Sequence, residues 1–328
     1  MDYIKQLRCH AWKSGIFTWQ ALLRVKARFF YACQEICRTM KSSVKDKILV
    51  FGRMIKFSHT IFALPFALSA VIMAWKGSEP RVSVLFWIVV AMVGARSAAM
   101  GFNRILDADL DRENPRTANR EIPAGLLSKK EAALFVAVSS ALFVFSSAML
   151  GTLCFWLSFP VLFFLLFYSY TKRFTSYCHI YLGFAISLAP LGAWIAVTGS
   201  VSPPVIFLTL ALMTYIAGFD ILYACQDMDF DKREGLYSLP SSIGPGNAMK
   251  LSSILHGFTL VLLFSMYLSS GMHPVFLGFL FIIAILLLVE HRLVKPDNLT
   301  HINIAFFHIN SVVSVTLLAG VLIEALVG

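Results

Sequence analysis

Residues 131–171 read EAALFVAVSSALFVFSSAMLGTLCFWLSFPVLFFLLFYSYT and contain one charged side chain, Glu131. Each half of this stretch is about 20 residues long, the length that an α-helix needs to cross the hydrocarbon core of a bilayer. Gly151 is the only residue between the halves that favours a sharp turn, because glycine adopts left-handed backbone angles at no steric cost. The stretch therefore predicts two transmembrane helices, 131–150 and 152–171, joined by a tight turn.

The composition of the whole chain indicates many such helices. Of its 328 residues 58% are hydrophobic and 14% are charged, whereas soluble domains contain about 45–50% apolar and about 25% charged residues. These proportions exclude a disordered chain, a fibrous repeat and an ordinary soluble enzyme. We predict an all-α polytopic membrane protein with nine transmembrane helices. The other seven hydrophobic windows are 57–75, 83–103, 178–198, 203–224, 248–270, 274–290 and 303–326.

The distribution of charge predicts the orientation in the membrane. Lys and Arg total 28 against 18 Asp and Glu, a net charge of +10, and basic residues concentrate in alternate loops such as 104–130. The loops between them, for example 199–203 and 271–274, contain no charge. By the positive-inside rule, the N-terminus and the basic loops are cytoplasmic and the C-terminus lies outside. We predict an integral membrane protein, in the inner membrane if the cell is bacterial, whose positive charge faces anionic lipid rather than nucleic acid.

Residues 1–45 differ from the rest of the chain, since they are basic, poor in acids and contain aromatic side chains such as Trp12 and Trp19. Three interpretations remain open: an amphipathic helix in the membrane interface, a targeting peptide, or a dispensable extension ahead of a translation start near Met40. We predict two regions, this N-terminal extension 1–45 and a membrane domain 46–328.

Two polar loops interrupt the apolar pattern at the ends of even-numbered spans, and they share one pattern of acids. The first begins NRILDADLDRENPRT, residues 103–117, and the second reads YACQDMDFDKREG, residues 223–235. In each loop, side chains at i, i+4 and i+8 lie on one face of a helix, while the intervening acids Asp109 and Asp229 point elsewhere. The aligned residues are Asn103, Asp107 and Asp111 in the first loop and Tyr223, Asp227 and Asp231 in the second.

Carboxylates stacked on one helix face repel each other, by about 4 kcal/mol per pair at about 4 Å and an effective dielectric near 20. A positive group must therefore lie between them. Arginine is one candidate, and a hard divalent cation such as Mg²⁺ is a better one because it prefers oxygen ligands. Mg²⁺ usually takes one or two carboxylates and completes its coordination with water and phosphate oxygens. The loops therefore predict a magnesium site that also binds a phosphate or diphosphate, with nearby basic residues as partners of the anion.

The two loops resemble the two aspartate-rich motifs of the UbiA superfamily of intramembrane prenyltransferases. The resemblance extends to the nine-helix layout and to KFSHTIFALPFAL, residues 56–68, and it covers about 50–328. NPRT, residues 114–117, is most similar to the branch that contains 4-hydroxybenzoate polyprenyltransferase. The resemblance implies a helical bundle around a central cavity, in which Mg²⁺ ions link an isoprenyl diphosphate to both motifs.

The resemblance also implies roles for individual residues. The catalytic and metal-binding residues are Asp107, Asp111, Asp227 and Asp231, with Asn103 as a further metal ligand. The residues that bind the diphosphate or lie beside it are Arg116, Arg120, Lys172, Lys56 and Tyr223. Tyr223, like Tyr168 and Tyr170, is also a candidate to stabilise an allylic cation through its ring face, although packing explains each tyrosine as well.

The implied reaction is the Mg²⁺-dependent transfer of a polyprenyl group from an isoprenyl diphosphate to an aromatic acid. Charge on the departing diphosphate is neutralised, an allylic cation forms between apolar walls, and an electron-rich ring attacks it. A 4-hydroxybenzoate-type acceptor for ubiquinone is the first choice, and a naphthoate-type acceptor for menaquinone is the alternative. The expected partners are a polyprenyl diphosphate, an aromatic acid and membrane lipids.

Two other classes of protein compete with this interpretation. A cation-coupled transporter also has acids in its helices, but transporters place them near the membrane midplane, whereas these lie at one face beside basic residues. A CDP-alcohol phosphotransferase also pairs acids with Mg²⁺, but the compact Asp-Gly and Ala-Arg motif of that family is not found. Three further polar residues lie in or near the spans. We expect His179 to pack or to form a hydrogen bond, Asp220 to have a functional role or to form a hydrogen bond between helices, and Glu324 to reach the membrane surface.

Overall fold

The computed structural model shows an all-α protein. It describes residues 47, 49–55, 62–76, 80–295, 299, 302 and 304–327. The predicted extension 1–45 lies outside the described residues. Residues 47 and 49–53 are helical and belong to an N-terminal unit that ends at Arg53.

The other helices belong to the unit Met54–Gly328. In chain order they are α1 (Leu64–Ala74), α2 (Val82–Leu106), α3 (Ala108–Glu113), α4 (Lys129–Leu150), α5 (Thr152–Thr171), α6 (Cys178–Thr198), α7 (Pro203–Ala224), α8 (Met228–Arg233), α9 (Leu239–Ile243), α10 (Pro245–Ser270), α11 (Val275–Leu293) and α12 (Asn310–Val327). A 3₁₀ turn, Cys225–Asp227, precedes α8, and a π-helical stretch, Ile304–Ile309, precedes α12.

Eight helices within the described residues are long and apolar enough to span a membrane. One of them runs from Pro203 to Arg233, because α7, the 3₁₀ turn and α8 follow one another directly. The predicted first span, 57–75, corresponds to α1, which has 11 residues and is too short to cross a bilayer alone. Residues 56–61, just before α1, lie outside the described part. The all-α membrane fold is confirmed, with eight spanning helices and one shorter apolar helix among the described residues.

The tight turn predicted at Gly151 is confirmed. α4 ends one residue before it, α5 begins one residue after it, and Gly151 has a φ of +136°. A side chain would strain this conformation, so glycine lets a single residue join two spans. α4 begins at Lys129, slightly before its predicted start, because Ser128 and Glu131 form reciprocal hydrogen bonds that cap the helix.

α7 is the central helix of the bundle. Its side chains Leu208, Leu212, Tyr215 and Ile216 are buried, and the helix is apolar on all faces, as a helix surrounded by other helices requires. It packs closely on α6, where a Cβ added to Gly183 would overlap a backbone carbonyl of α7. The second acidic motif begins at the end of α7 and the first begins at the end of α2, so the bundle brings both motifs to one of its ends.

Glu324 lies where the sequence interpretation did not put it. Instead of reaching the membrane surface, this carboxylate is buried near the end of α12 and accepts a hydrogen bond from Lys76 Nζ at 2.8 Å. Lys76 follows α1, which packs against α12. The expectation of a surface glutamate is wrong, because Lys76, 248 residues away in the sequence, provides the counter-charge that a buried carboxylate needs.

Candidate active site

Each acidic motif interrupts its helix at the central aspartate. Asp107 stands between α2 and α3 with φ −91° and ψ 3°. Asp227 stands at the equivalent point, as the last residue of the 3₁₀ turn and directly before α8, with φ −101° and ψ 4°. The two motifs therefore share a local backbone as well as a sequence pattern, and neither is the unbroken helix that the i, i+4 spacing predicted.

The two motifs meet in a cavity of about 170 Å³. Its walls come from the ends of α2, α5, α6 and α7 and from the segments that follow α2 and α7. The predicted residues that line it are Asn103, Asp107, Asp111, Arg116, Arg120, Lys172, Tyr223, Asp227 and Asp231. The remaining predicted residue, Lys56, lies outside the described part of the chain. Two loops far apart in the sequence thus converge on one space.

Basic side chains hold both aspartates of the first motif. Arg120 Nη1 donates to the two carboxylate oxygens of Asp111 at 2.6 and 2.8 Å. Arg173 Nη2 donates to Asp107 Oδ1 at 2.9 Å, and Asn103 Nδ2 donates to Asp107 Oδ2 at 2.8 Å. Burial raises the pKa of Asp107 above its ordinary value, although the charge and hydrogen bond of Arg173 act in the opposite direction. The first motif is thus balanced by basic residues from two different segments.

The second motif is held in part by the loop of the first. Arg116 Nε donates to Asp227 Oδ1 at 2.9 Å, Arg116 Nη2 donates to Oδ2, and Nη1 donates to the Tyr223 hydroxyl at 2.9 Å. Asn114 Nδ2 also donates to Asp227 Oδ1, at 3.2 Å. Burial alone would lower the pKa of Arg116, but the hydrogen bond and charge of Asp227 raise it above its ordinary value. This two-pronged bond ties the two motifs together.

Asp231 is the most enclosed of the four acids. It is fully buried, and Lys172 Nζ lies 2.7 Å from its Oδ1. Its Oδ2 has no hydrogen-bond partner within the described residues. Burial alone would lower the pKa of Lys172, but the charge and hydrogen bond of Asp231 raise it above its ordinary value. A buried oxygen without a donor is energetically costly, so the site has unused bonding capacity at this point.

The intervening acids of the motifs lie outside the cavity, as their spacing predicts. The Asp109 side chain is 71% exposed and pairs with Lys129 Nζ at 2.9 Å. That hydrogen bond lowers the pKa of Asp109. Asp229 is also exposed. Neither residue is among those that line the cavity.

The donor groups of the cavity fit magnesium. Among the described residues, no group of three or more His, Cys, Asp or Glu side chains is arranged to hold a metal ion by itself. Such a closed ligand set is what structural zinc requires. Mg²⁺ instead takes one or two carboxylates and fills its other positions with water and phosphate oxygens. The aspartates are spread around an open cavity, and one oxygen of Asp231 lacks a hydrogen-bond partner among the described residues. This arrangement fits the coordination of Mg²⁺.

The sequence interpretation missed a polar pair in the same cavity. His179 Nδ1 lies 2.7 Å from Asp220 Oδ2, and the backbone N–H of Leu239 donates to His179 Nε2 at 3.4 Å. Both side chains line the cavity, so the hydrogen bond expected of His179 is formed within the candidate site. The one available signal was an aspartate within an apolar span. Tyr168 also lines the cavity, whereas Tyr170 does not.

Comparison with known sequences places the chain in a family. The sequence profile of the UbiA prenyltransferase family matches residues 63–312. A 4-hydroxybenzoate octaprenyltransferase of Nitrosospira multiformis is 30% identical over 264 residues, covering 77% of this chain and 87% of the relative. Another, from Dechloromonas aromatica, is 26% identical over 288 residues, covering 87% of this chain and 97% of the relative.

Solved structures agree with the sequence comparison. The apo structure of a UbiA homolog from Aeropyrum pernix K1 matches with a TM-score of 0.73 and 30% identity, covering 81% of this chain and 98% of the homolog. A UbiA homolog from Archaeoglobus fulgidus bound to DMAPP and Mg²⁺ shares the fold, with a TM-score of 0.66, 19% identity and coverage of 85% and 99%. The resemblance inferred from the two acidic loops is confirmed: this chain is a member of the UbiA prenyltransferase family.

Proposed function

We propose that this protein transfers a polyprenyl group from an isoprenyl diphosphate to an aromatic acid of the 4-hydroxybenzoate type, with Mg²⁺ as its cofactor. The observation that carries the proposal is a single cavity in which the aspartates of both motifs lie against basic side chains. The names of the relatives, 4-hydroxybenzoate octaprenyltransferases, support the acceptor. The ligands of the Archaeoglobus fulgidus homolog, DMAPP and Mg²⁺, support the donor and the metal.

The basic side chains of the cavity suit a diphosphate ligand. Arginine binds phosphate oxygens through two parallel N–H groups, and lysine acts as a point charge. We expect these side chains to exchange their aspartate partners for diphosphate oxygens when the substrate binds, which frees the carboxylates to serve as metal ligands. The side chains concerned are Arg116, Arg120, Lys172 and Arg173.

The aspartates of the two motifs are the proposed metal ligands. Asn103, Asp107 and Asp111 would hold one Mg²⁺ ion, and Asp227 with Asp231 would hold the other. When bound, the metal supplies Lewis-acid stabilisation of the charge on the departing diphosphate. The chain itself orients the diphosphate, neutralises part of its charge and keeps water away from the allylic carbon.

The tyrosines of the cavity differ in what they offer an allylic cation. The Arg116 guanidinium lies over the Tyr223 ring, 5.3 Å from its centroid, so this ring face becomes free only when Arg116 moves. Tyr168 lines the same cavity, and no cation–π contact to its ring is found among the described residues. Tyr168 is therefore the better candidate to stabilise an allylic cation through its ring face.

The orientation of the site follows from the charge of the loops. We propose that both acidic motifs and the N-terminus face the cytoplasm and that the C-terminus lies outside, because the loops on the motif side are the basic ones. The charged diphosphate group of the donor and a small aromatic acid would meet the aqueous phase at this face, while the isoprenoid tail lies among apolar helices. Lys56 remains proposed as a further basic residue for the diphosphate.

The test is a prenyl-transfer assay on membranes that contain the full chain, Mg²⁺ and a radiolabelled prenyl diphosphate. 4-Hydroxybenzoate and a dihydroxynaphthoate are offered in separate reactions. We expect a prenylated product from 4-hydroxybenzoate that disappears with EDTA and returns when Mg²⁺ is restored. Product from the naphthoate alone would instead favour the menaquinone alternative. Product that persists in EDTA, or no product from either acid with folded protein, would contradict the proposal.

A further inference from the structure

One aspartate of the candidate active site is paired with histidine rather than with lysine or arginine. Of the described residues that line the cavity, five are aspartates: Asp107, Asp111, Asp220, Asp227 and Asp231. Four of them pair with a lysine or arginine side chain, and the exception, Asp220, pairs with His179. Imidazole gains and loses a proton near neutral pH, unlike the side chains of lysine and arginine. The four pairs belong to the proposed exchange with Mg²⁺ and diphosphate, which gives the fifth pair no role.

Two hydrogen bonds fix the orientation of the buried His179 ring. The backbone N–H of Leu239 donates to His179 Nε2 at 3.4 Å, and His179 Nδ1 lies 2.7 Å from Asp220 Oδ2. Because Nε2 accepts a hydrogen bond, it carries no proton. The proton of the neutral ring is therefore on Nδ1, which donates it to Asp220. The ring thus holds one oxygen of the Asp220 carboxylate in a fixed position.

The other carboxylate oxygen of Asp220 is available to a ligand. No hydrogen bond to Asp220 Oδ1 is found among the described residues, and this oxygen is not one of the buried atoms that lack a partner. The Asp220 side chain is 19% exposed and lines the cavity, so Oδ1 is accessible from it. An ionised carboxylate only accepts hydrogen bonds. Asp220 therefore favours a ligand that presents an O–H or N–H group.

Asp220 lies deeper in the bundle than the second acidic motif. It precedes Asp227 by seven residues, which is about 10 Å along a helix that rises 1.5 Å per residue. Since α7 runs toward the motif end of the bundle, Asp220 is on the bilayer side of Asp227. A prenyl diphosphate whose charged group meets the four ion pairs, and whose tail lies among apolar helices, has its allylic carbon on that side. The ring that attacks this carbon then lies beside Asp220.

We propose that Asp220, positioned by His179, is the base that accepts the proton of a ring hydroxyl on the aromatic acceptor. The inference rests on the proposed function, since both candidate acceptors, the hydroxybenzoate and the dihydroxynaphthoate, carry such a hydroxyl. Loss of the O–H proton leaves a phenolate, whose electrons make the ring carbon next to the hydroxyl nucleophilic. This carbon bonds to the allylic carbon as the C–O bond to the diphosphate breaks, and the diphosphate leaves with the bonding electrons.

The ring is then restored without any further reactant. The proton on the newly bonded ring carbon passes to the departed diphosphate, and the electrons of that C–H bond make the ring aromatic again. Asp220 returns its proton to the ring oxygen and is ready for another cycle. In this scheme Asp220 is a catalytic residue because it contacts the acceptor, whereas His179 is a positioning residue that acts through Asp220.

The first test is turnover of the full-length protein in membranes, with the acceptor that the unmodified protein converts. Asp220→Asn removes the base at nearly constant size and should lower turnover about 10²- to 10⁴-fold, the usual contribution of general base catalysis, with unchanged binding of the prenyl diphosphate. His179→Ala should lower turnover less, and His179→Asn, which keeps an N–H group, should recover part of the loss. The matched control Asp229→Asn alters an exposed aspartate outside the cavity and should retain full turnover.

The second test needs no substitution, so it stands even where a variant fails to fold. Calorimetry with Mg²⁺ and an unreactive prenyl thiodiphosphate compares 4-hydroxybenzoate with 4-fluorobenzoate, which is of similar size and has no proton to donate. Where the naphthoate is the substrate, the comparison uses that acid with and without its hydroxyl groups. We expect the acid without a hydroxyl to bind about 10- to 150-fold more weakly, the range for one charge-assisted hydrogen bond.

The possible failures are distinguishable. Equal affinity of the two acids, or normal turnover of Asp220→Asn, would overturn the role of Asp220 while the unmodified protein still converts its acceptor. Equal turnover of His179→Ala and the unmodified protein would overturn the positioning role of His179. Absence of any conversion by the folded, unmodified protein would contradict the proposed function itself.

Discussion

Substitutions in the Lys172–Asp231 ion pair can distinguish its contribution to stability from its contribution to catalysis. Asp231 is fully buried, and Lys172 Nζ at 2.7 Å is the cation beside it. Replacing Lys172 by Met leaves a buried carboxylate without its counter-charge. Breaking a fully buried pair in this way costs roughly 3–5 kcal/mol. The Lys172 side chain is 37% exposed, so water screens the pair, and we expect a loss of about 2–3 kcal/mol in the free energy of unfolding.

The double variant Lys172→Met/Asp231→Asn should recover most of that stability, because it removes both charges at once. Thermal unfolding in detergent of the single variants, the double variant and the unmodified protein gives the coupling energy of the pair. The matched control is Lys129 with Asp109, a pair of similar separation, 2.9 Å, in which both side chains are well exposed. Exposed pairs contribute about 0–1 kcal/mol, so the control cycle should show little coupling.

The double variant should recover stability but not prenyl-transfer activity. We expect Lys172→Met/Asp231→Asn to be folded but inactive in the prenyl-transfer assay, because one metal ligand and one diphosphate partner are missing. Lys172→Met alone should weaken binding of the prenyl diphosphate about 10- to 150-fold, the factor that corresponds to a charge-assisted hydrogen bond of about 1.5–3 kcal/mol. A coupling energy no larger than that of the control pair would contradict the structural role of this ion pair, and normal turnover of the double variant would contradict its catalytic role.

Three further substitutions test other parts of the site and fold. Asp107→Ala should abolish prenyl transfer while Asp109→Ala retains most of it, since only Asp107 lines the cavity; equal losses of turnover at normal expression would contradict the helical-face argument. His179→Ala should lower turnover with little change in binding of the prenyl diphosphate, because it releases the carboxylate that lines the cavity beside it. Gly183→Ala should cost about 1–3 kcal/mol of stability by overpacking α6 against α7. Gly192→Ala on the same helix meets no atom within 4 Å and should not lower the unfolding temperature, because alanine favours a helix more than glycine does.

The membrane helices could be predicted from the sequence because the bilayer imposes a length and an apolar composition on each of them. The predicted spans 152–171, 178–198 and 203–224 coincide with α5, α6 and α7. Gly151 and Lys172 flank α5, Gly199 follows α6 and Pro203 begins α7, and residues of these types mark helix ends locally. The spans at the two ends of the domain were predicted less well. The span 303–326 includes a π-helical stretch before α12 that hydropathy does not distinguish from a regular helix.

The residues of the site could be predicted as well, but their pairing could not. The sequence indicates that two acidic loops need positive partners, because like charges in one stripe repel. It does not indicate that Arg116 of the first loop would bind Asp227 of the second, 111 residues away. The same applies to the contact of His179 with Asp220, which joins α6 to α7. Such pairs depend on how helices pack, and a local pattern carries no information about that.

The four ion pairs between aspartates and basic side chains of the cavity affect how Mg²⁺ and the prenyl diphosphate bind. Each motif aspartate is matched by one basic side chain, so the cavity is close to neutral without ligands. A diphosphate alone would draw the basic residues away and leave carboxylates unpaired, and Mg²⁺ alone would leave the basic residues unpaired. Unpaired charges are costly in a partly buried space. When both ligands bind, each aspartate can pair with Mg²⁺ and each basic side chain with the diphosphate, so no charge is left unpaired.

We therefore expect Mg²⁺ and the prenyl diphosphate to bind cooperatively, each tightening the other about 5- to 150-fold, the usual range of coupling between sites. Titration calorimetry with an unreactive prenyl thiodiphosphate, at low and saturating Mg²⁺, measures this factor directly. Arg173→Met, which leaves Asp107 without its arginine before any ligand arrives, should strengthen binding of Mg²⁺ alone and reduce the cooperativity. Unchanged affinity for Mg²⁺ in that variant would show that the ion pairs do not compete with the metal.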